Sequence, residues 1–372
     1  MLGVRRQSSA TWLLLAYLAL LLYASLYPFW PWTWPPGMAL FDLIGLPWPR
    51  YFGAFDMWAN VLGYLPLGLL GFAAALRTGR GLKTGLAWGL LPAPALSFGM
   101  ETLQYFLPGR VPSLLDWTLN VSGAWLGVGA GVLLNAFGGL RRWQDVRDYW
   151  FQPHCAGALA LLALWPVGLL FPTPVPLGLG QWLPHLQTLV VSLLADTPWA
   201  LQWADDSDVA LDMARALPPG LEAIVIALGL LAPILLALAV ARPGWRRWAL
   251  IPGALALGML TTALSTALNF GPQHAWAWLT LATWPGLAAG VLLAGLSMLL
   301  PRRLCAALAL VTLCSLIALV SQAPTSPYMH LSLQAWTQGR FINLYGLAQW
   351  VGWVWPFAAI GWLLTLIGRR TV

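Results

Sequence analysis

Charge is what this chain has least of. Asp, Glu, Lys and Arg make up only 8% of its 372 residues, about a third of the share usual in a soluble globular domain. Histidine is scarce as well: His154, His185, His274 and His330 all fall at the ends of apolar runs or in loops, so no Ser/His or Cys/His pairing for nucleophilic catalysis is visible. The three cysteines, Cys155, Cys305 and Cys314, sit in or beside apolar runs with no CxxC spacing and no neighbouring histidine. That pattern suggests neither a disulfide framework nor a zinc site.

What the chain has in quantity is hydrophobic sequence, 59% of residues with a mean hydropathy of +0.72. It is arranged in continuous runs of about twenty residues, the length needed to cross a bilayer as a helix. A transmembrane β-barrel would instead show alternating segments of about ten residues, and these runs, rich in Leu, Ala and Gly, do not alternate. The net charge of +7 is scattered in twos and threes at run ends, which marks a cytoplasmic face rather than a nucleic-acid surface. The first run lacks a small-residue cleavage site and leads into a Trp/Pro tract, so it reads as an uncleaved helix.

The reading is therefore all-α: a polytopic helical membrane protein of about ten transmembrane helices. The spans are expected at 11–27, 56–76, 84–106, 115–137, 155–171, 221–241, 248–268, 276–300, 304–320 and 347–367. With both termini cytoplasmic, every basic residue except Arg50, Arg110, Arg215 and Arg340 lies inside. The long break at 172–220, with Asp196, Asp205, Asp206, Asp208 and Asp212, is then an external loop holding an interfacial or re-entrant helix.

Against this background one stretch stands apart, SFGMETLQYFLPGRVPSLLDWTLNVSGAWLG, residues 97–127. Glu101 and Gln104 close the third span, Arg110 and Ser113 occupy the loop, and Asp116 and Asn120 open the fourth span. Asp56 and Asn60 repeat the same four-residue step at the start of the second span, and the alternation of helix direction places all of these near the outer face. An ionisable group inside a membrane costs about 2.5–3.5 kcal/mol on insertion scales and is read as functional by default. Simpler roles stand beside this one. Asp56 and Asp116 could be helix N-caps, Arg110 a solvated loop residue, and Glu101 a brace for Arg110. Gly123, Gly127 and Gly131 recur every four residues, a pattern for close helix packing. Gly63 and Gly68 would let the second span approach, and Pro92 and Pro94 should kink the third.

The segment NVLGYLPLG (Asn60, Pro66, Gly68), the Ser97/Glu101/Gln104 spacing and the Arg110/Ser113/Asp116/Asn120/Gly123/Gly127 spacing resemble the VanZ-like family of membrane proteins over about residues 10 to 140. The resemblance implies a four-helix VanZ-like domain at 10–147 in a bacterial cytoplasmic (inner) membrane. A further membrane domain of about six helices at 150–372, including the external loop, is additional to the short members. The family is named for a protein associated with low-level resistance to teicoplanin, a lipoglycopeptide that acts on the cell-wall precursor outside the membrane. The long form is similar to VanZ-like proteins of bacteria that export polysaccharide. In the tail, Arg340, Asn343, Tyr345 and Gln349 among aromatics suit either a sugar or lipid headgroup or an interfacial belt.

Three functions follow from the residues. The leading one is binding of a cell-envelope glycan, lipid headgroup or lipoglycopeptide at the outer face. Asp56, Asn60, Glu101, Gln104, Ser113, Asp116 and Asn120 would hydrogen-bond hydroxyls, and Arg110 would take a phosphate or carboxylate. A transporter or flippase of a lipid-linked glycan is the first alternative. The second is a membrane enzyme using the carboxylates of Asp56, Glu101 and Asp116. Expected partners are membrane lipids and a lipid-linked glycan or glycopeptide, with no nucleic acid. No cofactor or resident metal is called for, and the residues do not identify a protein partner.

The orientation is testable in intact cells on a background lacking the three native cysteines. An impermeant thiol reagent should label Pro36→Cys, Val111→Cys and Asp206→Cys. Labelling of Gly79→Cys or Arg142→Cys instead would reverse the topology.

Overall fold

The computed structural model describes residues 8–27, 29–51, 53–182, 217–323 and 342–368. The chain divides into two compact units, one of Met1–Tyr149 with Pro153–Ala160, the other of Trp150–Gln152 with Leu161–Val372. No strand occurs among the described residues. Seven helices are long and apolar enough to cross a membrane, in keeping with an all-α polytopic membrane fold.

In the N-terminal unit α1 (Ser9–Leu26) begins at Ser8, whose Oγ accepts the Ala10 N–H at 3.2 Å. Next come α2 (Ala54–Arg77), α3 (Leu82–Leu90), α4 (Pro92–Gln104), α5 (Leu114–Ala136) and α6 (Gly139–Trp150). Helix α5 is capped by Ser113, whose Oγ accepts the Asp116 N–H at 3.2 Å. The expected third span is thus two helices rather than one kinked helix. Leu91 between them keeps helical torsions (φ −79°, ψ −36°), so the interruption is a gap in the hydrogen-bond ladder. Proline lacks the N–H, and Pro94 leaves the Leu90 carbonyl without its i+4 donor. The Trp125 indole of α5 supplies one at 3.3 Å.

Helices α2 and α5 form the centre of this unit, and glycine decides how closely they meet. A side chain on Gly123 would collide with the Val61 carbonyl, one on Gly127 with the Leu65 carbonyl, and one on Gly68 with the Ala124 carbonyl. Gly131 faces the Phe72 side chain, and Phe72 is fully buried. Contacts that advance together along both helices (61 with 123, 65 with 127, 72 with 131) mean that α2 and α5 run parallel. The pair α3–α4 makes the return between them, so both helices start at the same end. Gly63 plays no part in this approach: the space at its Cβ is open, and its carbonyl accepts the Tyr17 hydroxyl at 2.6 Å.

The second unit contains α8 (Pro219–Val240), α9 (Trp245–Phe270), α10 (Thr283–Ser297), α11 (Arg302–Val320) and α12 (Ile342–Gly368). Helix α7 (Ala156–Leu169) is shared between the two units. Beyond Glu222 in its first turn, helix α8 is apolar on every face and is accordingly the buried one. Gly286 and Gly290 of α10 lie against its Ala223 and Ala227. Buried Arg247 donates to the carbonyls of Met298, Leu300 and Leu238 at 2.9, 2.9 and 3.3 Å, closing the ends of α8 and α10.

The expected spans at 155–171 and 276–300 are shorter apolar helices, of 14 and 15 residues. The segment at 139–150, which falls between two of the expected spans, is a helix with no buried residue. Of the expected external loop at 172–220, residues 183–216 with the five aspartates, and also Arg5, Arg6, His185, Arg215, His330, Arg340, Arg369 and Arg370, lie outside the described residues.

The glycine contact makes a paired prediction. Gly127→Ala should destabilise the protein by about 1–3 kcal/mol through overpacking, whereas Gly129→Ala, with open space at its Cβ, should stay within about 1 kcal/mol of wild type. Unfolding of both variants in detergent measures the difference.

Candidate functional site

Because α2 and α5 start at the same end, Asn60 and Asp116 come face to face, and Asn60 Nδ2 donates to Asp116 Oδ1 at 2.8 Å. Asp116 is in turn bonded through its main-chain N–H to Ser113 Oγ, and the Ser113 N–H donates to Glu101 Oε2 at 2.9 Å. One hydrogen-bonded chain therefore links α2, α5, the loop and α4. One turn deeper, Asn120 Nδ2 donates to Ser97 Oγ at 3.0 Å. Glu101, Ser113 and Asn120 are 4–5% exposed and Ser97 is fully buried, while Asn60 and Asp116 are half-buried and Asp56 is exposed. Asp56 is close enough for its charge to act on Asp116. The polar groups thus form a path from the surface to the bundle interior.

At the inner end of that path the polar groups are incompletely satisfied. Asn120 Oδ1, Tyr64 Oη and Thr102 Oγ1 are buried without a hydrogen-bond partner. Tyr64 lies within electrostatic reach of Ser25, Ser97 and Glu101, none at hydrogen-bonding length. Tyr64 and Ser25 were not singled out from the sequence. A tyrosine in an apolar run gives no signal of its partners until the helices are assembled.

Gln104 and Arg110 bond in another direction. Gln104 Nε2 donates to the Ser25 carbonyl at 2.9 Å. Arg110 donates from Nε and Nη2 to the Tyr27 carbonyl at 3.1 and 2.8 Å, and from Nη2 to the Ala24 carbonyl at 3.1 Å. These are the last carbonyls of α1, where a cation is favoured by the helix dipole. Burial pulls the guanidinium pKa below its ordinary value and the Glu101 charge opposes this; an arginine remains charged regardless. A Glu101–Arg110 brace is not what the bonds describe: Glu101 takes the Ser113 N–H, and the ion pair recorded among the described residues is Arg147–Asp148.

Residues 11–135 match the VanZ/LLP1 family. They form a VanZ-like N-terminal region in a longer protein. The match takes in α2 to α4, nearly all of α1 and α5, and every residue of the polar cluster described above. No curated protein and no solved structure matches the chain. The second unit carries a cavity of about 220 Å³, lined by Phe171, Glu222, Thr262, Thr266, Trp278 and Thr280 among others. It shares no residue with the VanZ-like cluster. Among the described residues no group of three His, Cys, Asp or Glu is placed to hold a metal ion.

The Glu101–Ser113 bond gives a stability prediction. Glu101→Leu should leave the buried Ser113 N–H unpaired and cost about 1–3 kcal/mol. Glu101→Gln retains an acceptor oxygen and should unfold close to wild type. Thermal unfolding of the purified variants reads the contrast.

Proposed function

We propose that the VanZ-like region binds the polar headgroup of a cell-envelope glycan, lipid or lipoglycopeptide, as an accessory component of the bacterial cytoplasmic membrane. The observation that carries this is the buried, partly unsatisfied cluster of Glu101, Ser97, Asn120 and Tyr64 at the end of a polar path that opens at Asp56. A buried acceptor without a donor costs about 1–3 kcal/mol. A ligand hydroxyl or amide N–H would offset that cost and account for polar residues where packing alone calls for apolar ones. Acceptors predominate, from Asp56, Glu101, Asp116 and Asn120 Oδ1, which suits hydroxyl-rich ligands.

Binding is favoured over catalysis because no histidine falls within residues 11–135, and among the described residues there no hydroxyl is bonded to a carboxylate. With Arg110 bonded to the end of α1, the recognition falls to the acids and amides. Arg110 shapes the site by holding α1 against the loop.

The reading is tested with the full chain in nanodiscs, titrated with a polyprenyl-linked glycan and, separately, with teicoplanin. Glu101→Gln and Asn120→Leu should weaken binding of whichever ligand is held by about tenfold or more, the effect of one strong buried hydrogen bond. Membrane abundance should be unchanged. Wild-type affinity in both variants would overturn the assignment.

A further inference from the structure

At the opposite end of α2, about 30 Å from Asp56 at 1.5 Å per residue, a second polar group lacks a partner. Arg77 closes a helix of membrane-crossing length, Asp56–Arg77. It is only 8% exposed, and its Nη2 is buried without a hydrogen bond. The helix dipole favours a cation in this last turn, but it supplies no hydrogen-bond acceptor for that nitrogen. The nearest charges are Arg147 and Asp148 of α6. Asp148 is engaged by Arg147, whose Nε and Nη2 lie 2.9 and 2.6 Å from its Oδ1. Two guanidinium groups therefore share one carboxylate, and the site keeps an excess positive charge.

Helix α6 fits the same setting. Its Leu140 packs on the cluster of Ala10, Ala73 and Ala74, which fixes it across the ends of α1 and α2. It buries no residue, and Trp143 and Val146 are 52% and 50% exposed. They sit three residues apart, on one face of the helix. Arg141 and Arg142 flank them, and Arg80 and Lys83 follow α2 at the same end. An amphipathic helix with outward Trp and Val and neighbouring arginines lies in the plane of the headgroups.

From this geometry we infer that Arg77 and Arg147 bind the phosphodiester of an anionic phospholipid, with α6 lying against the acyl boundary. An unpartnered guanidinium N–H takes a phosphate oxygen as a charge-assisted bond, and basic sites between helix ends are suited to acidic lipids. The lipid rather than free phosphate is the fitting source because Arg77 ends a membrane-length helix and so stands at headgroup level.

The experiment is native mass spectrometry of the full chain in neutral detergent, titrated with phosphatidylglycerol, with phosphatidylcholine and with inorganic phosphate. Wild type should retain one phosphatidylglycerol about tenfold or more tightly than phosphatidylcholine, and Arg77→Gln should abolish that preference. Arg80→Gln removes an exposed cation that stacks on Trp88 and should leave the preference intact. Should Arg77→Gln fail to fold, Arg147→Gln on the exposed helix serves, with the same loss expected. An unchanged preference in the folded Arg77 or Arg147 variant would overturn the site. So would an equal loss in Arg80→Gln, which would mean a diffuse charge effect, or displacement of the lipid by inorganic phosphate, which would mean a free-anion site.

Discussion

A main-chain carbonyl inside a bilayer has no water to turn to, and satisfying such groups from within is the constraint on which this structure depends. The chain meets it with long polar side chains carried by neighbouring helices and loops. Arg110 and Gln104 take the last carbonyls of α1, Arg247 takes those at the ends of α8 and α10, and the Trp355 indole donates to the Leu161 carbonyl at 2.7 Å. This explains how so few charged residues go so far. Several of the arginines inside the protein act as hydrogen-bond donors to helix ends.

The second determinant is the backbone approach of α2 and α5. Where Gly123 and Gly127 admit the carbonyls of Val61 and Leu65, the two helices are held in one register and one direction. The Asn60–Asp116 bond is a consequence of that register. A side chain at either glycine would separate the helices, and the polar chain through Ser113 to Glu101 would lose its first link. Packing and chemistry in this region are therefore set by the same few positions.

The helical membrane architecture was legible because apolar runs of bilayer length carry an unambiguous physical meaning. The details that were not legible are those in which a local pattern admits two outcomes. Residues 139–150 fall between expected spans because their charges are dense, yet Trp143, Val146 and Trp150 share one face, and the segment is helical. Pro92 and Pro94 announced a disturbance, but whether the helix bends or divides depends on which donor reaches the freed carbonyl. For the candidate site, spacing placed Asp116 and Asn120, or Glu101 and Gln104, on common faces. It could not reveal that Gln104 and Arg110 bond to α1, since contacts between positions 79 to 86 residues apart leave no trace in local spacing. Gly63 and Gly68 looked equivalent in sequence, and only assembly shows that Gly68 alone meets another backbone.

The indole bond from Trp125 to the Leu90 carbonyl has a mechanical meaning. In water, a broken helix can move its halves apart and let solvent occupy the exposed carbonyl. Trp125 is exposed on the outside of the unit, where lipid takes the place of solvent, so the bond cannot be exchanged for one to water. A displacement of α3 relative to α5 must therefore leave the carbonyl bare. A second indole of α5, that of Trp117, donates to the Pro94 carbonyl of α4 at 3.0 Å, so α4, which bears Ser97 and Glu101, and α5, which bears Asp116 and Asn120, are tied to move as one body.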